Sequence, residues 1–173
     1  MITFQFPNLE RAMQDINNYA MSLTDKMNRL LEILMNEGWD IAATGFSEAI
    51  YDGDRDVMLN LPYWEGNTLY LEANGNSVAF IEFGSGKTYE EYPSDKLPKG
   101  VVPHGEYGKK KGRKPPWVYV GEAGDNGTVL AHKKDGRAVV RTMGNPPARA
   151  MYNASKVFDK DHVLQVAKEV FGK

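Results

Sequence analysis

Apolar side chains recur along the first third of the chain with a helical period. Leu9, Met13, Ile16, Ala20, Leu23, Met27, Leu30 and Leu34 are spaced 4-3-4-3-4-3-4, a heptad-like stripe on one side of a helix, with Asp15, Asp25 and Glu32 elsewhere on its surface. Asn8 suits an N-cap and Gly38 a stop, so the pattern predicts a helix over 9–36. Such a helix is about 42 Å long at ~1.5 Å per residue. Four heptads can serve a coiled coil, or the helix can lie across a sheet or a neighbouring subunit. A second short helix is expected over about 39–50.

The period then changes from helical to alternating. The runs DVMLNLPYW (56–64), TLYLEA (68–73) and VAFIEF (78–83) read as strands, with Asn74-Gly75-Asn76 as a hairpin turn between the last two. TVLAHK (128–133) and RAVVRT (137–142) flank Lys134-Asp135-Gly136, a second hairpin whose Asp-Gly pair accepts positive φ. Pro146-Pro147 breaks the chain, and helical spacing returns from Ala148 to Phe171, with an interruption expected within 159–162. The stretch 87–120 carries five prolines, several glycines and the basic tract Lys109-Lys110-Lys111-Gly112-Arg113-Lys114. Tyr89, Tyr92, Tyr107, Trp117 and Tyr119 are interleaved with it, and the aromatics argue against plain disorder. The order predicts one α+β domain over 1–173. Its long N-terminal amphipathic helix and its C-terminal helix pack on a mostly antiparallel sheet, and 87–120 forms a long Pro/Gly/Lys-rich loop excursion.

Composition narrows the chemistry. The chain has 173 residues and no cysteine, which excludes disulfides and thiolate metal sites. His104, His132 and His162 have no ligand-like spacing. No apolar run approaches the ~20 residues that span a bilayer, and the first residues lack the pattern of a signal peptide. A non-exported protein with no membrane partner is expected. Net charge is −2, divided unevenly: residues 1–83 carry 4 basic and 13 acidic side chains, and residues 84–173 carry 17 and 10. Two unlike surfaces, or head-to-tail contact between copies, would use that asymmetry; ordinary solvated faces would also produce it.

Gly84-Ser85-Gly86-Lys87-Thr88 reads like the end of a nucleotide-binding loop, but Ile81 stands where its first glycine is required. The strand-like run reaches Gly84, leaving no room for a wide cradle of N–H groups, and the acidic, proline-bearing TYEEYPSDKLP makes a poor phosphate-facing helix. Asp52, Asp54 and Asp56 alternate as in a calcium loop, but Val57 and Tyr63 occupy the glycine and glutamate positions of that motif. No residue set supports a catalytic triad or an acid–base pair, so neither enzyme activity nor a cofactor is expected. Lys109, Lys110, Lys111, Arg113, Lys114, Tyr107 and Trp117 suit phosphate and base contact, docking on an acidic protein surface, or simple solvation.

Three features together resemble the head–tail joining (tail-completion or tail-component) proteins of long-tailed double-stranded DNA phages. They are the long N-terminal helix, Glu82-Phe83-Gly84-Ser85-Gly86 after the apolar run, and Pro146-Pro147-Ala148-Arg149-Ala150-Met151 opening the last helix. The family's signature is EFGTG-like, and Ser85 replaces its threonine here. Tyr51-Asp52-Gly53, the Gly105-Glu106-Tyr107-Gly108 loop and the Trp117 segment resemble the subgroup from phages and prophages of Gram-positive bacteria. The resemblance implies a virion structural protein without a catalytic site, present in the host cytoplasm during assembly. It implies a ring, typically of six subunits, between the head connector or head-completion protein and the tail tube, with genomic DNA passing through the lumen. Tail terminator, tail-completion protein, head–tail joiner and minor head component all fit. The alternative is a small nucleic-acid-binding protein acting through 107–119.

Glu82 is expected to be partly buried at a strand end, sharing a face with Val78 and Phe80. A carboxylate there calls for a cation, Arg149 first and Arg141 second. Gly84 and Gly86 then supply sharp turns with positive φ.

Overall fold

The structure is a computed structural model and describes residues 9–86, 93 and 116–172. Helix α1 (Leu9–Glu48) runs unbroken for 40 residues, about 60 Å at ~1.5 Å per residue. Gly38 therefore ends nothing, and no separate helix begins at 39. Its role is spatial: a β-carbon on Gly38 would lie 3.5 Å from the Ala154 carbonyl oxygen. One heptad on, at Gly45, it would lie 2.8 Å from the Ala150 β-carbon. The glycines let the C-terminal helices press onto α1, which offsets the roughly 1 kcal/mol that glycine costs inside a helix.

Strands β1 (Met58–Leu59) and β4 (Ala73–Asn74) pair antiparallel, and between them β2 (Tyr63–Glu65) and β3 (Thr68–Tyr70) form a hairpin. Tyr63 and Tyr70 stack across that hairpin with centroids 5.6 Å apart. The Trp64 indole N–H donates to Glu32 of α1 at 3.1 Å, tying the hairpin to the helix.

Residues 78–83, expected as a strand, are helix α2 (Val78–Phe83), and Asn74-Gly75-Asn76 leads into it rather than into a hairpin. Six residues of which five are apolar fit either period, so the surroundings decide. Asp56 decides from upstream. Its carboxylate accepts the backbone N–H groups of Asn76 and Ser77, each at 2.7 Å, and the Ser77 hydroxyl at 2.5 Å. This fixes the turn from which α2 starts.

A second sheet has the order β5-β7-β6, all antiparallel, from β5 (Trp117–Val120), β6 (Thr128–His132) and β7 (Ala138–Thr142). The β6–β7 hairpin turns as expected, with Gly136 at φ 83°. Trp117 and Tyr119 belong to β5, so the excursion ends before 117 rather than at 120. The chain closes with α3 (Ala150–Ser155), a 3-10 turn over 156–158 and α4 (Lys160–Phe171). The break at Asp159 lies where an interruption is expected, while the first helical residue is Ala150 rather than Ala148. Helices at both ends with antiparallel sheets make the fold α+β.

Two apolar clusters lie along the second half of α1. Leu30 and Leu34 pack with Val157 and Val166, and Phe46 and Ala49 pack with Ile81 and Ala150. The stripe on α1 is thus covered by α3, the 3-10 turn and α4 more than by sheet. From 10 to 29 every described α1 residue but Lys26 is exposed.

Candidate functional site

The two stretches that carry the family resemblance meet. Ser85 and Asn145 form an isolated antiparallel bridge, with Ser85 N–H donating to the Asn145 carbonyl at 2.8 Å and Asn145 N–H returning to Ser85 at 3.1 Å. The Ser85 hydroxyl also contacts the Asn145 side-chain oxygen. Asn145 is 2% exposed, and its amide donates to the Phe80 carbonyl at 2.8 Å. The hydroxyl of Ser85 is what this bridge uses, and threonine would carry the same group.

The bridge demands glycine on both sides. Gly84 has φ 75°, and a β-carbon on it would come 2.7 Å from the Pro147 nitrogen. On Gly144, at φ 91°, it would come 2.2 Å from the Ser85 carbonyl oxygen. The Trp117 ring covers the same place, 3.5 Å from the position of a Gly86 β-carbon. Half-buried Trp117 is therefore packed on the joint. Lys109, Lys110, Lys111, Arg113, Lys114 and Tyr107, like Lys87, lie outside the described residues.

Glu82 is 3% exposed, as the burial expectation required, but it is the fifth residue of a helix rather than a strand end. Its carboxylate accepts the backbone N–H groups of Met151 at 2.9 Å and Tyr152 at 3.0 Å. The first turn of α3 thus receives from α2 the acceptor that its own N-cap, Arg149, does not supply. A helix N-terminus thus offers positive charge to Glu82, a partner that sequence reasoning did not name. A buried glutamate and a Pro-Pro break ahead of a helix were the available signals. Arg149 itself takes the left-handed conformation (φ 57°), its N–H donating to the Glu82 carbonyl at 3.1 Å. Ala148 N–H donates to Ile81 at 2.8 Å. Arg141 is exposed on β7.

The acidic loop 52–56 braces the same body. Asp52 accepts the Asn126 N–H at 2.6 Å and the Thr142 hydroxyl. Thr142 in turn accepts the Gly144 N–H at 2.9 Å, which links this loop to the bridge. Asp125 accepts the Tyr51 N–H at 2.9 Å and pairs with Arg55 at 2.5 Å. Arg55 also reaches the Ser47 carbonyl at 3.1 Å and the Ala49 carbonyl, neutralising the end of α1. The Ser77 hydroxyl and the backbone bonds from Ser77 and Asn76 hold the Asp56 carboxyl well below its usual range. The Tyr51 bond, then Arg55, lowers that of Asp125. Burial, then the nearby Asp56, raises the Tyr51 hydroxyl. Asp52 and Asp56 thus serve different neighbours, and among the described residues no group of three His, Asp or Glu could hold a metal. The Ser85 N–H, which a phosphate loop would aim at its ligand, is committed to Asn145.

Beside the joint runs an open groove of about 650 Å³ between α1 and residues 146–148. Ile41, Ile50 and Pro147 give it apolar walls, and Asp40 and Glu48 make it acidic. The chain matches no protein-family model, no curated protein and no solved structure.

Proposed function

We propose that the chain is a structural subunit of the neck of a long-tailed double-stranded DNA phage, as a head–tail joining, tail-completion or tail-terminator protein. In this reading it assembles with copies of itself, six in the resembled family, between the head connector and the tail tube. It acts in the virion after assembly in the host cytoplasm. The joint is the observation that carries the reading. Residues 82–86 and 145–152 lie about sixty residues apart, yet each supplies the other's hydrogen-bond partners. Two coincidental motifs have no reason to be complementary, whereas a structural signature does. The acidic groove and the net positive charge of residues 84–173 support contact between unlike faces of adjacent subunits.

Negative-stain microscopy of the purified chain, alone and mixed with purified phage tail tubes, tests this. The expected result is six-fold rings or added density at one tube end. The rival outcome is a chain without affinity for tubes that binds double-stranded DNA with steep salt dependence, lost on changing Lys109, Lys110 and Lys111 to alanine. That outcome would move the function to nucleic-acid binding.

A further inference from the structure

The exposed half of α1 is built to receive another helix. Met13, Ile16, Leu23 and Met27 are 56%, 66%, 41% and 45% exposed, all on the stripe that alternates 4-3-4-3. Within the body the buried positions of α1 are Leu30, Leu34, Gly38, Ala42 and Phe46, spaced 4-4-4-4. The 3.5-residue period that a helix partner requires is therefore kept where the helix leaves the body and relaxed where mixed elements cover it.

We propose that this half pairs with the same half of a second copy as a short antiparallel coiled coil. Charge selects the occupant and its direction. Near the free end, Glu10, Arg11 and Asp15 sum to −1; near the body, Asp25, Lys26 and Arg29 sum to +1. Antiparallel pairing lays each end on its opposite and aligns the helix dipoles favourably, whereas parallel pairing stacks like on like. The segment is neutral overall, so two copies meet without net repulsion.

Burial selects the register. A seam of this kind allows antiparallel registers one heptad apart. One sets Met13 against Leu30, but Leu30 is 6% exposed and already packed with Leu34, Val157 and Val166. A shift the other way sets Leu23 and Met27 against positions that precede the described helix. The remaining register sets Met13 against Leu23 and Ile16 against Ala20 of the second copy, a large side chain over a small one near the two-fold axis. This pairing does not rest on the neck reading, because it concerns a closed two-fold contact through α1 alone.

The chain has no cysteine, so introduced thiols report without background. Oxidising a mixture of full-length Ile16→Cys and Ala20→Cys chains should give a mixed disulfide dimer, while neither variant cross-links with itself. Sedimentation of the unmodified chain should show mass doubling with concentration. Leu23→Asp should weaken that association on the order of a hundredfold or more, and Asn18→Asp, off the seam, should leave it unchanged. Thermal melting of dilute Leu23→Asp verifies that the body remains folded. Self-cross-linking of Ile16→Cys without the mixed product would overturn the antiparallel register. A chain monomeric at every concentration, or equal losses from Leu23→Asp and Asn18→Asp, would overturn the pairing itself.

Discussion

Leu23 and Leu34 occupy the same stripe of the same helix, yet Leu23 is 41% exposed and Leu34 only 1%. The sequence gives both the same apolar side chain at heptad-compatible spacing. The difference is made by the return of the chain: the 3-10 turn and α4 come back over Leu30 and Leu34, and Lys26 over the Phe171 ring marks where that cover stops. One hydrophobic pattern thus has two fates, a spine for the chain's own core and an exposed stripe beyond it. Stability measurements therefore ought to divide at residue 30, and association measurements ought to divide there in the opposite sense.

Leu34→Ala should produce the largest change, about 2–5 kcal/mol lost in denaturant unfolding, because a fully buried leucine leaves a cavity that its neighbours fill only in part. A value close to that of an exposed leucine would break the comparison. Glu82→Ala should come next, costing about 1–3 kcal/mol by leaving the Met151 and Tyr152 N–H groups without their acceptor. The loss should appear in the same assay, with fraying of α3 seen as faster amide exchange. Acid sharpens the contrast further. The folded state depresses the Asp56 and Asp125 carboxyls below their ordinary 3.8, so the stability they contribute is present above that pH and lost as pH falls below it. Melting followed from pH 6 to pH 2 (an experimental range spanning roughly the carboxylate pKa values) should show the drop, and Asp56→Asn should flatten it. The smallest effect belongs to Leu23→Ala, within about 0.5 kcal/mol for dilute protein; a core-like loss there would show that residues 10–29 are covered.

Much of the fold was legible. The period of α1, the Asp-Gly hairpin and the break near Asp159 each follow from local chemistry that nothing distant contradicts. The errors share a cause. VAFIEF fits strand and helix equally over six residues, and the choice lay with Asp56, which anchors its first turn from twenty residues upstream. Gly38 resembled a stop because sequence displays a missing side chain but not the helix pressed into the space. The helix N-terminus that Glu82 holds could not be read in advance, because backbone N–H groups carry no residue identity.

By itself the sequence determined the periodicities and the turn residues, since these depend on side-chain size, φ preference and spacing. Tertiary structure alone decided which half of α1 is core and which is seam, and that 78–83 coils. It also joined Glu82 to the start of α3. Those outcomes depend on burial and on hydrogen bonds between segments far apart in the chain, whose free energy appears only when the segments meet.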